Sequence, residues 1–134
     1  GFDDAENPHV LKELIELTGA KCLDYADEAE CCGYTVAAID EKVSLSLAME
    51  KLHHIKEAGA QALITVCPSC HLMFDMQQTR IERGFGETFN LPVLHYTQLL
   101  GLAMGINPED LALKELRVDP TKVLNTLQVT RQKT

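Results

Sequence analysis

The sequence predicts an α/β domain with a mainly parallel sheet flanked by helices, and cysteine motifs at strand-to-helix turns. Three observations lead there. Segments with apolar residues at helical spacing alternate with short apolar runs, the pattern of strands joined through helices. Ala62-Leu63-Ile64-Thr65-Val66 is apolar at nearly every position, as expected for a parallel strand buried on both faces. Cys67-Pro68-Ser69-Cys70 follows at once, with a proline suited to a first helical turn.

Asn7-Pro8 starts a first helix; Val10, Leu11, Leu14 and Ile15 form its stripe, and Gly19 closes it. Residues 21–25 read as a short strand, and residues 26–34 as a loop carrying a cysteine pair. Asp40 caps a longer helix reaching Ala58, with Leu45, Ala48, Met49, Leu52 and Ile55 on one face and Gly59 at its end. After the strand at 62–66 come a helix over 68–83, a loop over 84–90, a strand over 91–95 and a helix over 96–104. Weaker helices follow Pro108, one of them starting at Asp119-Pro120. Open, Rossmann-like sheets of this kind place their sites at the carboxyl ends of strands.

The 134 residues make one domain, 46% hydrophobic, large enough to form a core without disulfides. A net charge of -8 argues against nucleic acid as a partner, which wants a basic face. No apolar run approaches the roughly 20 residues of a membrane-spanning helix. Gly1-Phe2-Asp3-Asp4 is neither basic nor apolar enough for a secretory leader. The expectation is a cytoplasmic protein, membrane-associated only through partner subunits, and a fragment of a longer chain.

Five cysteines stand at 22, 31, 32, 67 and 70. Too few and too clustered for a disulfide scaffold, they point to metal or redox chemistry. In Cys67-x-x-Cys70 the first thiol lies at a helix start, where free amides favour thiolate. Alone, that motif serves thioredoxin-like, zinc and iron–sulfur sites alike. Cys31-Cys32-Gly33 narrows the choice. Adjacent cysteines chelate one zinc poorly but can serve different irons where the backbone turns sharply, and Gly33 permits that turn. A vicinal disulfide, or one buried thiol beside one ligand, are the alternatives. Residues 33–66 amount to one helix and one strand, enough to return the chain to the same sheet edge.

Cys31-Cys32-Gly33 followed by Cys67-Pro68-Ser69-Cys70 resembles the CCG cysteine-rich domain, whose pattern is an upstream cysteine, then CC, then CxxC. The resemblance covers nearly the whole chain. Phe2-Asp3-Asp4-Ala5-Glu6-Asn7-Pro8, and the stretch from Leu91-Pro92-Val93-Leu94-His95 to Gly105, are similar to the second, C-terminal CCG repeat of the heterodisulfide reductase B-type subunits. Similar domains occur in the E-type subunits of succinate dehydrogenase and fumarate reductase.

The resemblance implies a noncubane [4Fe-4S] cluster on Cys31, Cys32, Cys67 and Cys70, with Gly33 and Pro68 shaping the two turns. The same four cysteines would take part in catalysis, in an oxidoreductase acting on disulfides. Its partners would be iron–sulfur and flavin subunits and a small thiol or disulfide substrate. An electron-transfer domain of the E-type kind is the alternative. The pattern's first cysteine would fall ahead of Gly1, so residues 1–134 are expected to be a single C-terminal domain, inactive alone. Its thiols would hold zinc, or nothing, where that ligand is missing. Cys22 is too close to the pair to replace it and is expected in the core.

Among the other residues, His71 is a polar first-turn residue, a ligand or a proton donor beside the thiols. His95 is expected as a satisfied buried histidine, His53 and His54 as solvent-facing, and His9 without a role. Met73 and Met76 are expected in the core. Gly84-Phe85-Gly86 is too short for a phosphate loop.

Overall fold

The computed structural model describes residues 2–131. Helix α1 (Val10–Glu16) begins later than Pro8 because Asp3 reaches back to cap it. The Asp3 carboxylate accepts from the His9 and Val10 amides, each at 3.2 Å. A 3₁₀ turn (Tyr34–Ala38) leads into α2 (Glu41–Glu57), where Asp40 accepts from the Val43 amide at 3.0 Å as expected of an N-cap. Ala48, Leu52 and Ile55 are buried, and Ser44 and Lys51 join them on that face.

Strands β1 (Leu63–Thr65) and β2 (Val93–His95) pair in parallel, Leu63 opposite Val93 and Thr65 opposite His95. Between them runs one helical rod in two parts, α3 (Pro68–His71) and α4 (Gln78–Phe85), joined by a π turn over Leu72–Met76. Gln77 N–H reaches the Leu72 carbonyl there at 3.3 Å. The fully buried Gln78 amide secures this irregular turn. It donates to Phe74 O (2.8 Å) and Leu91 O (2.9 Å), and it accepts from Leu91 N (2.8 Å). The segment before β2 is thereby sewn onto the rod.

Helix α5 (Tyr96–Ala103) follows β2 directly. Two 3₁₀ turns (Pro108–Leu111 and Leu113–Glu115) and α6 (Thr121–Arg131) complete the chain. Buried Asp75 holds this tail, accepting from the amides of Arg117 (2.9 Å) and Val118 (3.1 Å). The main core lies among α2, β1, β2 and the rod, with Leu52, Ile55, Met73, Phe74, Ile81 and Val93 at its centre. Met73 packs there as expected; Met76 is exposed instead.

One departure matters for the site. Residues 21–25, expected as a strand, pair with no strand among the described residues, and the sheet has two strands. No strand therefore precedes the Cys31-Cys32 motif, and only Cys67-x-x-Cys70 sits at a strand-to-helix turn. The Lys12 ammonium contacts both Asp24 and Glu28 at 2.6 Å. It draws the chain into the turns at 26–29 rather than into a ladder.

Candidate metal centre

Cys67 leaves β1 in extended conformation and caps α3, with Pro68 in the first turn. Its sulfur is open to solvent, and its pKa is lowered chiefly by the Cys70 and Ser69 amides, with further help from the Cys70 thiol. The Cys67 side chain makes no capping hydrogen bond of ordinary geometry at this helix start. Cys70 behaves in the opposite way. Burial first, and then contact with Cys32 and Cys67, push its thiol up to about 12. The result is a division of labour inside one CxxC: Cys67 favours thiolate, and Cys70 keeps its proton.

Cys32 is buried and Cys31 exposed on the same loop. Gly33 fixes the turn. Its φ of 82° is left-handed, and a Cβ there would meet Ser44 O and Leu47 Cβ, each at 3.1 Å. The Ser44 hydroxyl donates to Gly33 O at 2.8 Å, clasping the loop onto α2. Only glycine satisfies both the dihedral and the approach.

The two motifs, far apart in sequence, come together in space: Cys70 packs against the core cluster that holds Cys32, and Cys32, Cys67 and Cys70 line one cavity. Cys31 stays at the exposed edge and Cys22 lines a cavity beside the site. All five are free thiols. Among the described residues no three His, Cys, Asp or Glu side chains are arranged to hold a metal as they stand. The chemistry of the thiols nevertheless fits a thiophilic iron or zinc centre. Crowded thiols oppose one another's ionisation, and a cation among them would relieve that opposition.

Two histidines stand behind the turn, rings 6.5 Å apart. His71 Nδ1 lies 3.3 Å from Thr65 Oγ1. His95 Nδ1 takes the Thr97 amide at 3.3 Å, which leaves its proton on Nε2, and Nε2–H donates to Val66 O at 3.0 Å. His95 is thus satisfied, as expected, though only partly buried. His9 stays exposed near Asp3 and Glu13. His53 and His54 are not simply solvent-facing. His53 Nε2 meets Glu87 at 3.1 Å, and His54 Nδ1 lies 3.0 Å from Asp27 Oδ1 without the alignment of a hydrogen bond.

Sequence reasoning missed Tyr25 and Lys51. Lys51, 4% exposed, reaches the Asp27 carbonyl and sits 5.2 Å over the Tyr25 ring. Burial first, and then the charges of Asp27, Glu28, Cys70 and Cys22, push the Tyr25 phenol up to about 12. The signal for Lys51 was present: a lysine in helical register with Ala48 and Ile55, on the apolar face.

The pattern of the CCG cysteine-rich domain matches residues 2–75, more than half of the sequence, and the chain belongs to that family. Within it, the chain is similar to heterodisulfide reductase B-type subunits. It is 41% identical over 125 residues to the B-type subunit of the ferredoxin:CoB-CoM heterodisulfide reductase of Methanosarcina mazei, covering 90% of this chain and 41% of that protein. It is 38% identical to a protein of Archaeoglobus profundus that is itself like the heterodisulfide reductase B-type subunits, over 82% of this chain and 38% of the relative. The membrane anchor of the 8-methylmenaquinol:fumarate reductase of Wolinella succinogenes is 27% identical, over 92% of this chain and 43% of the relative. The chain spans about two-fifths of the length of these relatives. Among the described residues, no helix is long and apolar enough to cross a membrane.

Proposed function

We propose that these residues form an iron–sulfur redox domain of a protein like the heterodisulfide reductase B-type subunits, one that reduces or forms a thiol disulfide. The observation that supports this reading most is the gathering of Cys32, Cys67 and Cys70 around one cavity, which joins the two motifs. Cys31, Cys32, Cys67 and Cys70 would hold a noncubane [4Fe-4S] cluster, which supplies single electrons to sulfur chemistry when bound. The longer protein would contribute a further cysteine.

The chain's own residues do the rest. The Ser69 and Cys70 amides stabilise negative charge on the solvent-exposed Cys67 sulfur. Ser44 and Gly33 hold the Cys31–Cys32 turn against α2, while Pro68 starts the rod bearing Cys70. Thr65 and His71 place hydrogen-bonding groups behind that rod. The partners would be other redox subunits and a small thiol or disulfide. The location would be the cytoplasm, with membrane association through partners.

The similarity to a fumarate reductase membrane anchor supports a second reading, an electron-transfer domain with no disulfide substrate. Anaerobic reconstitution of the full natural polypeptide with iron and sulfide, followed by metal analysis and EPR, separates the readings. About four irons per site, with a paramagnetic signal that changes on adding thiol, is the expected outcome. An iron signal indifferent to thiol favours electron transfer. Zinc alone, or no iron uptake by the folded protein, rejects both.

A further inference from the structure

Beside β1 lies a slot. It is lined by residues 62–66 on the β1 side, by residues 19–23 and Tyr25, and by Ile15, Leu94, Leu99 and Val123. Its volume is about 690 Å³. Gly59, every residue of β1, Cys67 and Cys70 are among its lining residues.

The main chain on the β1 wall is unpaired in a regular way. Leu63 N–H donates to Pro92 O at 2.9 Å, so Leu63 and Thr65 address β2. Alternation in a parallel ladder then turns the N–H and C=O of Ile64 toward the slot. The opposite wall, residues 20–25, runs without helix, turn or bend and pairs with no strand among the described residues. Two stretches of main chain thus line the same largely apolar cavity, each with backbone groups that lack protein partners among the described residues.

The side chains agree. Ala62-Leu63-Ile64-Thr65-Val66 reads as an interior strand, yet β1 has one open edge, and Val66 is 51% exposed there. An open edge beside apolar residues is what proteins otherwise cover or pair.

We propose that this slot receives an apolar β-strand from polypeptide outside the 134 residues, hydrogen-bonded to β1 through Ile64 on one side and to residues 21–25 on the other. A small ligand could fill the volume, but it could not satisfy amides and carbonyls along both walls; a strand does so at every second residue. The relatives are more than twice as long as this chain, and in this proposal the strand belongs to the part of such a protein that these residues do not cover. A strand buried between two others is a permanent element of a fold, which favours the same polypeptide over a passing partner. The insertion turns β1 from an edge strand into an interior one and gives residues 21–25 the partner they lack. Its end would arrive beside Cys67. The inference stands whatever the thiols bind.

The test is hydrogen exchange on the full natural polypeptide, with the photo-crosslinker benzoylphenylalanine placed at Leu23 in a parallel sample. The Ile64 and Leu23 amides are expected to exchange as slowly as the β1 amide of Leu63, and the crosslink to land on a segment of the same polypeptide outside these residues. Fast exchange at Ile64 beside slow exchange at Leu63 overturns the inference. So does protection that appears only with a small dithiol such as dithiothreitol, or a crosslink to a second copy, to another protein, or to nothing. Exchange is read on the unmodified protein, so failure of the Leu23 variant to fold leaves that arm decisive.

Discussion

His95 Nε2 donates to the carbonyl of Val66 at 3.0 Å, one residue before Cys67. The end of β2 therefore holds the peptide from which the CxxC turn departs. The same ring caps α5 through Nδ1, so one side chain fixes a helix start and a strand end. His95→Ala is expected to cost about 1 to 2 kcal/mol of stability, read from urea denaturation. Cys67 alkylation at neutral pH should also slow, with partial recovery in His95→Gln. Unchanged alkylation would show that the bond supports the fold alone.

The two CxxC thiols should react unequally. Cys67 is lowered from the ordinary thiol range and Cys70 is raised to about 12. Iodoacetamide at pH 7, followed by peptide mass spectrometry, should label Cys67 well before Cys70. Equal labelling in the folded protein would contradict the assignment.

Stability should decline in alkali. Cys70 and Tyr25 both hold their protons more tightly folded than their ordinary values of 9.0 and 10.0 predict. Raised pKa values mean the folded state binds more protons, so the stabilisation is complete below pH 9 and is lost as pH climbs toward 12. In Tyr25→Phe the loss between pH 10 and 12 should be shallower than in the parent. Parallel curves in denaturant titrations would refute this.

Gly33→Ala should cost at least about 1 to 2 kcal/mol from the left-handed dihedral alone. The contacts with Ser44 O and Leu47 add to that cost. A fall in the urea midpoint is the readout, and a neutral substitution would mean that the loop lifts freely from α2.

Gln78→Leu should cost about 3 kcal/mol or more, because it strands the Leu91 amide, the Leu91 carbonyl and the Phe74 carbonyl inside the protein. Thermal unfolding would show the loss, and a change under 1 kcal/mol would mean water replaces the amide.

Much of this was legible in the sequence because it is local. Asp40, Gly59, the apolar run at 62–66 and Pro68 mark boundaries through their own backbone preferences, and the structure keeps them within a few residues. The spacing of one helix and one strand pointed to two motifs at equivalent places on one sheet edge, but only Cys67-x-x-Cys70 follows a strand among the described residues. What failed was nonlocal. Residues 21–25 have strand-like composition, but a strand exists only with a partner, and composition cannot show whether the partner is at hand. The π turn was hidden for a related reason: it depends on Gln78 meeting Leu91, a contact that helical periodicity does not encode. Lys51 was legible only as a lysine on an apolar face; its partner, the Asp27 carbonyl, comes from a turn distant in sequence.

The π turn at Leu72–Met76 adds a residue to one winding of an otherwise regular rod. At 3.6 residues per turn, that displaces everything downstream by about 100° around the axis. The upstream half is thereby indexed to the thiols and β2, and the downstream half to α2, with a phase offset between them. A substitution that restored uniform winding could leave every contact chemically intact and still rotate one half out of alignment. The rod is thus a coupling set at a fixed angle, and the aim of the Cys70 side chain depends on a turn that contains no cysteine.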